Sequence, residues 1–125
     1  MLEELMNETG IGEDIFGRRR TVPKSEIKKS YKHALNMFVN FHIQSPCAYY
    51  LMLAEGQVRD EFIDVDMWLS DIWPINEVHD EVCFLARDWC ADDCIPIIAE
   101  KLRYAVPLDV PMDCDYIVSD RWEKA

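Results

Sequence analysis

The spacing of apolar and polar positions changes several times along this chain, and each change marks a predicted element. Residues 2–9 read as the end of a helix, closed by Gly10 and Gly12. Glu13 to Gly17 and Arg18 to Val22 read as an extended or hairpin-like stretch that stops at Pro23. Ser25 then offers an N-cap for a helix to about Asn40, in which Ile27, Tyr31, Ala34, Leu35 and Phe38 follow helical spacing. Ser45-Pro46 predicts the start of another helix, running into the Arg59–Ile63 region, because proline at a first helical position gives up no hydrogen bond.

Around Ile72 to Val78 and Val82 to Leu85 the pattern becomes that of short strands. Only His79-Asp80-Glu81 separates them, which predicts a tight hairpin. A further helix is predicted over about Ala91 to Tyr104, with Asp92 and Asp93 in the first turn, where negative charge suits the helix dipole. A last strand is predicted near Met112 to Tyr116, before a tail containing Trp122. No repeat, low-complexity tract or Gly/Ser linker interrupts the chain, so residues 1–125 are expected to form one structural unit. The fold class is α+β, with helices packed on one face of a small antiparallel sheet.

Composition narrows the picture. Half of the 125 residues are apolar, enough for a modest core. Their runs are broken by charges and fall well short of the roughly 20 residues a bilayer span needs, so no membrane partner is expected. Met1-Leu2-Glu3-Glu4 lacks the apolar stretch of a secretory signal, which makes the cytoplasm the expected location. The odd set Cys47, Cys83, Cys90, Cys94 and Cys114 argues for reduced thiols. Cys90 and Cys94 are four apart, a helix-face spacing suited to buried packing and not the two-residue gap of a zinc knuckle.

A net charge of −11 speaks against nucleic-acid binding by the whole surface. The charge is uneven, however. Residues 1–33 hold seven of the thirteen Lys and Arg, whereas residues 34–125 hold six against eighteen acids. A basic front and an acidic remainder is a distribution compatible with touching phosphates along one face, and by itself it decides little.

The feature with most chemistry is His79-Asp80-Glu81. Two adjacent carboxylates on a hairpin tip project in different directions and are open to ions, which suits a hard cation such as Mg²⁺ that keeps some waters and shares phosphate oxygens. An ordinary polar turn is the commoner explanation of three such letters, so their surroundings must decide. Residues 77–85, Glu-Val-His-Asp-Glu-Val-Cys-Phe-Leu, resemble motif C of the family A DNA polymerases. Glu8-Thr9-Gly10 followed by Phe16-Gly17-Arg18-Arg19-Arg20 and Pro23 resembles that family's segment at the fingers–palm transition. Asn40-Phe41-His42-Ile43-Gln44 resembles its Asn-x-Pro-x-Gln stretch, and Leu108-Asp109-Val110-Pro111 with Trp122 resembles its closing strand and terminal Trp. The pieces stand in the family's order and cover nearly the whole chain, implying a partial palm: residues 1–24 as the basic fingers–palm transition and 25–125 as palm.

The resemblance implies template-directed nucleotidyl transfer in DNA replication, with DNA primer-template and a deoxynucleoside triphosphate as partners. It implies that Asp80 is one of two metal-bridging catalytic aspartates, with two Mg²⁺ ions as cofactor and Glu81 as a nearby helper. Arg18, Arg19 and Arg20 would neutralise backbone phosphates, although a solvated charge run has the same composition. Asn40 and Gln44 would lay amide donors in the minor groove at the primer end, where acceptors are present whichever way an A·T pair faces. A capping Asn and a loop Gln are the plain alternative. His79 would lie near the primer terminus, and a satisfied polar histidine is an equal alternative.

Several positions depart from the family pattern. Pro46 and Tyr49 stand where it shows small or Thr and Asp residues, Asn36 where an Arg often contacts DNA, and Glu77 where a Gln is frequent. The 125 residues contain no Asp-Tyr-Ser-x-Ile-Glu segment for the other aspartate and no nucleotide-binding helix with Arg, Lys and Tyr. The lead expectation is one part of a split, phage-encoded polymerase, inactive alone and completed by a second chain. The rival is a non-catalytic remnant serving as a binding or regulatory module. An acidic mimic of DNA would fit the net charge but not the Arg18–Arg20 cluster.

Overall fold

In the computed structural model, which describes residues 1–123, helix α1 (Leu2–Glu8) ends where its sequence predicts. Thr9 and Gly10 donate their N–H groups to the carbonyls of Leu5 and Met6, and Gly10 takes a left-handed φ of 66°. Glycine alone suits this position, since a Cβ would stand 2.6 Å from the Val22 carbonyl oxygen. Strands β1 (Ile11–Glu13) and β2 (Arg19–Thr21) then pair antiparallel, with Gly12 opposite Arg20; a hairpin forms as expected, but its first strand lies earlier and most of the predicted Glu13–Gly17 arm is its connection.

Two helix boundaries differ from expectation. The helix predicted from Ser25 to Asn40 is broken into α2 (Lys24–Lys29) and the start of α3 (Tyr31–Asp64). Ser30 lies between them in extended backbone; its N–H bonds the Glu26 carbonyl, and its own carbonyl accepts from Ala34. It closes one helix and opens the next, a half-in role for which serine is well suited. The break predicted at Ser45-Pro46 is absent, and α3 runs through with Pro46 inside it. An interior proline removes a ladder bond at a cost of about 3 kcal/mol. Burial on both sides of it, Ala34 and Phe38 before and Tyr50, Ala54, Val58 and Phe62 after, is what outweighs that loss.

The chain divides into two compact units, Met1–Tyr49 and Tyr50 onward. The core of the first is Met6, Val22, Ala34 and Phe38, with Leu2, Ile27 and Leu35 against them. The core of the second is Val58, Phe62, Ile72, Cys90 and Cys94, flanked by Trp68, Phe84 and Ile98 among others. Cys90 and Cys94 are thus packing residues, as their spacing implied. Burial, and Cys90 alongside, push the Cys94 thiol up to about 11, so it stays protonated and inert near neutrality.

The second unit contains β3 (Ile72–Val78), β4 (Glu81–Ala86) and α4 (Ala91–Tyr104). The β3–β4 register runs from Ile72 opposite Ala86 to Val78 opposite Glu81, with an irregularity between Pro74 and Asn76. Proline donates nothing to a ladder and is tolerated in a two-stranded sheet, where one edge of each strand is unpaired. The Tyr50 hydroxyl and the Gln57 amide, both from α3, donate to the carbonyls of Arg103 and Ala105, each at 2.8 Å, and satisfy the end of α4.

The strand predicted near Met112 to Tyr116 does not form among the described residues. The Arg103 guanidinium takes the Asp113 carboxylate at 2.8 Å and the Cys114 carbonyl at 3.2 Å, while the Cys114 N–H turns to Asp113 Oδ1. Side-chain bonds therefore occupy both backbone groups of Cys114, at the middle of the predicted strand. Two small antiparallel sheets with helices give the α+β class that was expected. Among the described residues, no helix is long and apolar enough to cross a membrane.

Candidate functional site

The β3–β4 hairpin carries one group of candidates. Val78 pairs directly with Glu81, so the connection is the two residues His79-Asp80, and Glu81 opens the strand instead of completing the turn. Two-residue hairpin loops favour turns with positive φ at the first central residue, because that twist matches the strands. His79 supplies it at φ 58°. Histidine is among the few side chains enriched in that conformation. The tip thus exposes both His79 and Asp80 to solvent.

The two carboxylates are chemically unlike. Glu81 is half-buried, and its Oε1 accepts the Trp122 indole N–H at 2.6 Å and lies 3.3 Å from Cys83 Sγ. Burial, with Glu81 beside it, raises the Cys83 thiol above its ordinary pKa. Asp80 makes no hydrogen bond or ion pair among the described residues. Further along β3, Glu77 stands close enough to Glu55 to reinforce the effect of burial, and the Glu55 carboxyl is raised above its ordinary value.

A single exposed carboxylate fits Mg²⁺, which is commonly held by one or two carboxylates plus water and substrate phosphates. It supplies only one corner of such a site. Among the described residues, no three His, Cys, Asp or Glu side chains converge on a metal position.

The first unit carries the other group, and its three arginines differ. Arg19 pairs with Glu13 across the β1–β2 hairpin. The Arg18 guanidinium lies 5.7 Å from the centre of the Tyr49 ring and donates to the Ser45 carbonyl at 3.4 Å. Arg20 is exposed and has no ion pair among the described residues. Asn40 and Gln44 are exposed on α3 one helical turn apart, so they share a face.

Asp14 organises this region, although sequence reasoning passed over it. It is 7% exposed. Its Oδ1 accepts the N–H groups of Phe16 at 2.9 Å and Arg18 at 3.0 Å, and its Oδ2 accepts the Ser45 hydroxyl at 2.6 Å. Burial alone would raise its pKa; the Ser45 hydroxyl, the two backbone donors and the Arg18 charge together hold the carboxyl below its ordinary value. Phe16 packs edge-on against Tyr49, with ring centres 4.9 Å apart. The available signal was an aspartate three residues before Gly17, the usual chemistry of a side chain that bonds its own turn. Tyr49 serves here as the surface on which Phe16 and Arg18 rest.

Comparison with known proteins bears on both groups. DNA polymerase I, thermostable, of Thermus filiformis is 27% identical over 118 residues, covering 93% of this chain and 14% of that protein. The same enzyme of Thermus thermophilus is 26% identical over the same length. The chain therefore spans about one-seventh of the length of these relatives. The fold resembles the POL domain of Pol1 from M. smegmatis, solved in complex with DNA primer-template and dNTP, with a TM-score of 0.76 at 24% identity over 90% of this chain and 20% of that one. The family description "DNA polymerase family A" matches residues 1–124. A match of that extent, running through both the arginine turn and the His79-Asp80-Glu81 hairpin, means that this chain belongs to DNA polymerase family A.

Proposed function

We propose that these residues act as the C-terminal palm portion of a DNA-directed DNA polymerase and supply one catalytic aspartate, Asp80. The observation that carries this reading is an exposed carboxylate, unengaged by the described residues, on a two-residue tip anchored by two paired strands. Asp80 would hold Mg²⁺, which when bound stabilises charge on phosphate oxygens and promotes attack by a hydroxyl. Glu81, tied to Trp122, would steady the tip beside it. Arg18, Arg19 and Arg20 would meet the DNA backbone, Asn40 and Gln44 would offer donors to the minor groove, and His79 would lie near the primer terminus. The related POL domain solved with primer-template and dNTP supports the same two substrates here.

The second aspartate and the nucleotide-binding helix would come from polymerase sequence outside these 125 residues, in the split arrangement a second chain of a phage-encoded enzyme. The test is primer extension by this chain combined with the polymerase polypeptide carrying the Asp-Tyr-Ser-x-Ile-Glu segment. Asp80→Ala should remove several kcal/mol of transition-state stabilisation, about a thousandfold in rate, without changing circular dichroism. Extension that survives Asp80→Ala would overturn the assignment and leave the rival reading, a binding module without catalysis.

A further inference from the structure

We infer that Asp14 is a positioning residue, which sets the arginine turn against α3 in the shape that binds a nucleic-acid backbone. The inference rests on the proposed DNA contact of Arg18–Arg20 and deepens it. A carboxylate 7% exposed is costly to bury unless its lone pairs are filled. Here they are filled from two directions. Two donors belong to the turn itself, the N–H groups of Phe16 and Arg18, and the third is the Ser45 hydroxyl on the helix. One side chain thus fixes the internal shape of the turn and its seat on α3. Tyr49 completes the seat, with Phe16 edge-on and Arg18 over the ring.

The same bonds account for the interior serine of α3. Ser45 precedes a proline and would ordinarily cap a new helix, yet its hydroxyl is committed to Asp14. Asp14 is also an acid within a basic turn, so charge alone would make it a hindrance to a phosphate-binding surface. Its contribution must therefore be geometric, and this gives the test a definite sign. Removing the carboxylate lowers negative charge near the arginines and by electrostatics should tighten DNA binding. If Asp14 positions the turn, its removal should weaken binding instead.

The experiment measures binding of the full chain to a labelled primer-template duplex by fluorescence anisotropy across a salt series. Asp14→Ala should weaken binding about tenfold and flatten the log K against log salt slope by about 2, the loss of two phosphate contacts at about 0.9 each. Asp14→Asn keeps an acceptor for the turn's N–H groups and should bind at least as tightly as the unaltered chain. Ser45→Ala removes one donor of three and should weaken binding to an intermediate degree; it carries the test should Asp14→Ala fail to fold. Unchanged or tighter binding by a folded Asp14→Ala, or by Ser45→Ala where Asp14→Ala does not fold, would overturn the inference. So would failure of Asp14→Asn to restore binding. Absence of binding by the unaltered chain at every salt concentration would instead remove the DNA-contact reading on which the inference stands.

Discussion

The Asp14–Arg18 turn and the His79-Asp80 tip are both hairpin connections with an aspartate, and they are built on opposite plans. Asp14 is buried, and three donors of its own protein occupy its oxygens. Asp80 is exposed and engages none of the described residues; the neighbouring Glu81 is the carboxylate that is tied down. A carboxylate whose lone pairs are filled internally holds a shape and has little left for a cation. One held out on a rigid strand pair can still take a hard ligand. The contrast separates an aspartate that serves architecture from one available for chemistry, a distinction that residue type alone does not make.

If each turn rests on the core of its own unit, the largest effects should come from emptying those cores. Phe62 and Phe38 are almost wholly buried, one in each core. Replacing either with Ala should cost about 3–5 kcal/mol, measured by urea denaturation. Hydrogen exchange should then accelerate in residues 72–86 for Phe62→Ala and in residues 14–18 for Phe38→Ala. Loss of protection at both turns from either substitution would break the idea that each is separately supported.

Acid offers a second way to separate the aspartates. The Asp14 carboxyl titrates below the ordinary value of 3.8, because its hydrogen bonds and Arg18 favour the charged form over the cost of burial. Its contribution to stability is therefore fully present above the unfolded-state value and is lost as pH falls through the lower folded value. The amide proton shifts of Phe16 and Arg18 should move together over that acid range. In Asp14→Asn the same shifts should stay flat with pH, and a titration that persists there would assign the transition to another group.

Much of the tip was legible in the sequence, because periodicity and a short polar interruption define a hairpin locally. The β3 span matches the predicted Ile72 to Val78, and β4 is one residue longer at each end than the predicted Val82 to Leu85, which shortens the turn. The helical boundaries were less legible. Ser45-Pro46 satisfies every local rule for a helix start, and what overrides it is tertiary: a serine hydroxyl taken by Asp14, 31 residues away, and burial of α3 on both sides of the proline. The missing strand near Met112 has a related feature, since Arg103 takes the Cys114 carbonyl and the Asp113 carboxylate takes the Cys114 N–H. In the candidate site, residue types singled out the arginines and carboxylates as candidates. They could not reveal that Arg18 is occupied by Tyr49 and Ser45 while Arg20 is not.

The tie between Trp122 and Glu81 sharpens the comparison at smaller scale. The indole is exposed, so its bond to a half-buried carboxylate competes with water. Trp122→Phe keeps the ring and deletes the donor, and should lower stability by about 1 kcal/mol in urea denaturation. A low-field indole N–H resonance should disappear, and exchange should quicken in residues 119–123. An unchanged tail would mean that the indole bond does not hold it to the hairpin.

The smallest effect is expected at His79, where two backbone terms oppose each other. A non-glycine residue in the left-handed region costs about 1–2 kcal/mol, less for residue types that favour it, and His79 holds φ 58°. Glycine would relieve that strain but brings about 0.5–1 kcal/mol of extra chain entropy lost on folding. His79→Gly should therefore change stability by only about 0.5 kcal/mol, in the stabilising direction, while leaving the β3–β4 register intact by cross-strand nuclear Overhauser contacts. Activity should then divide the roles of the tip. If the histidine only shapes the turn, glycine preserves extension by the completed polymerase. If its ring meets the primer terminus, extension falls although the hairpin is as stable as before, and the loss belongs to the side chain and not to the fold.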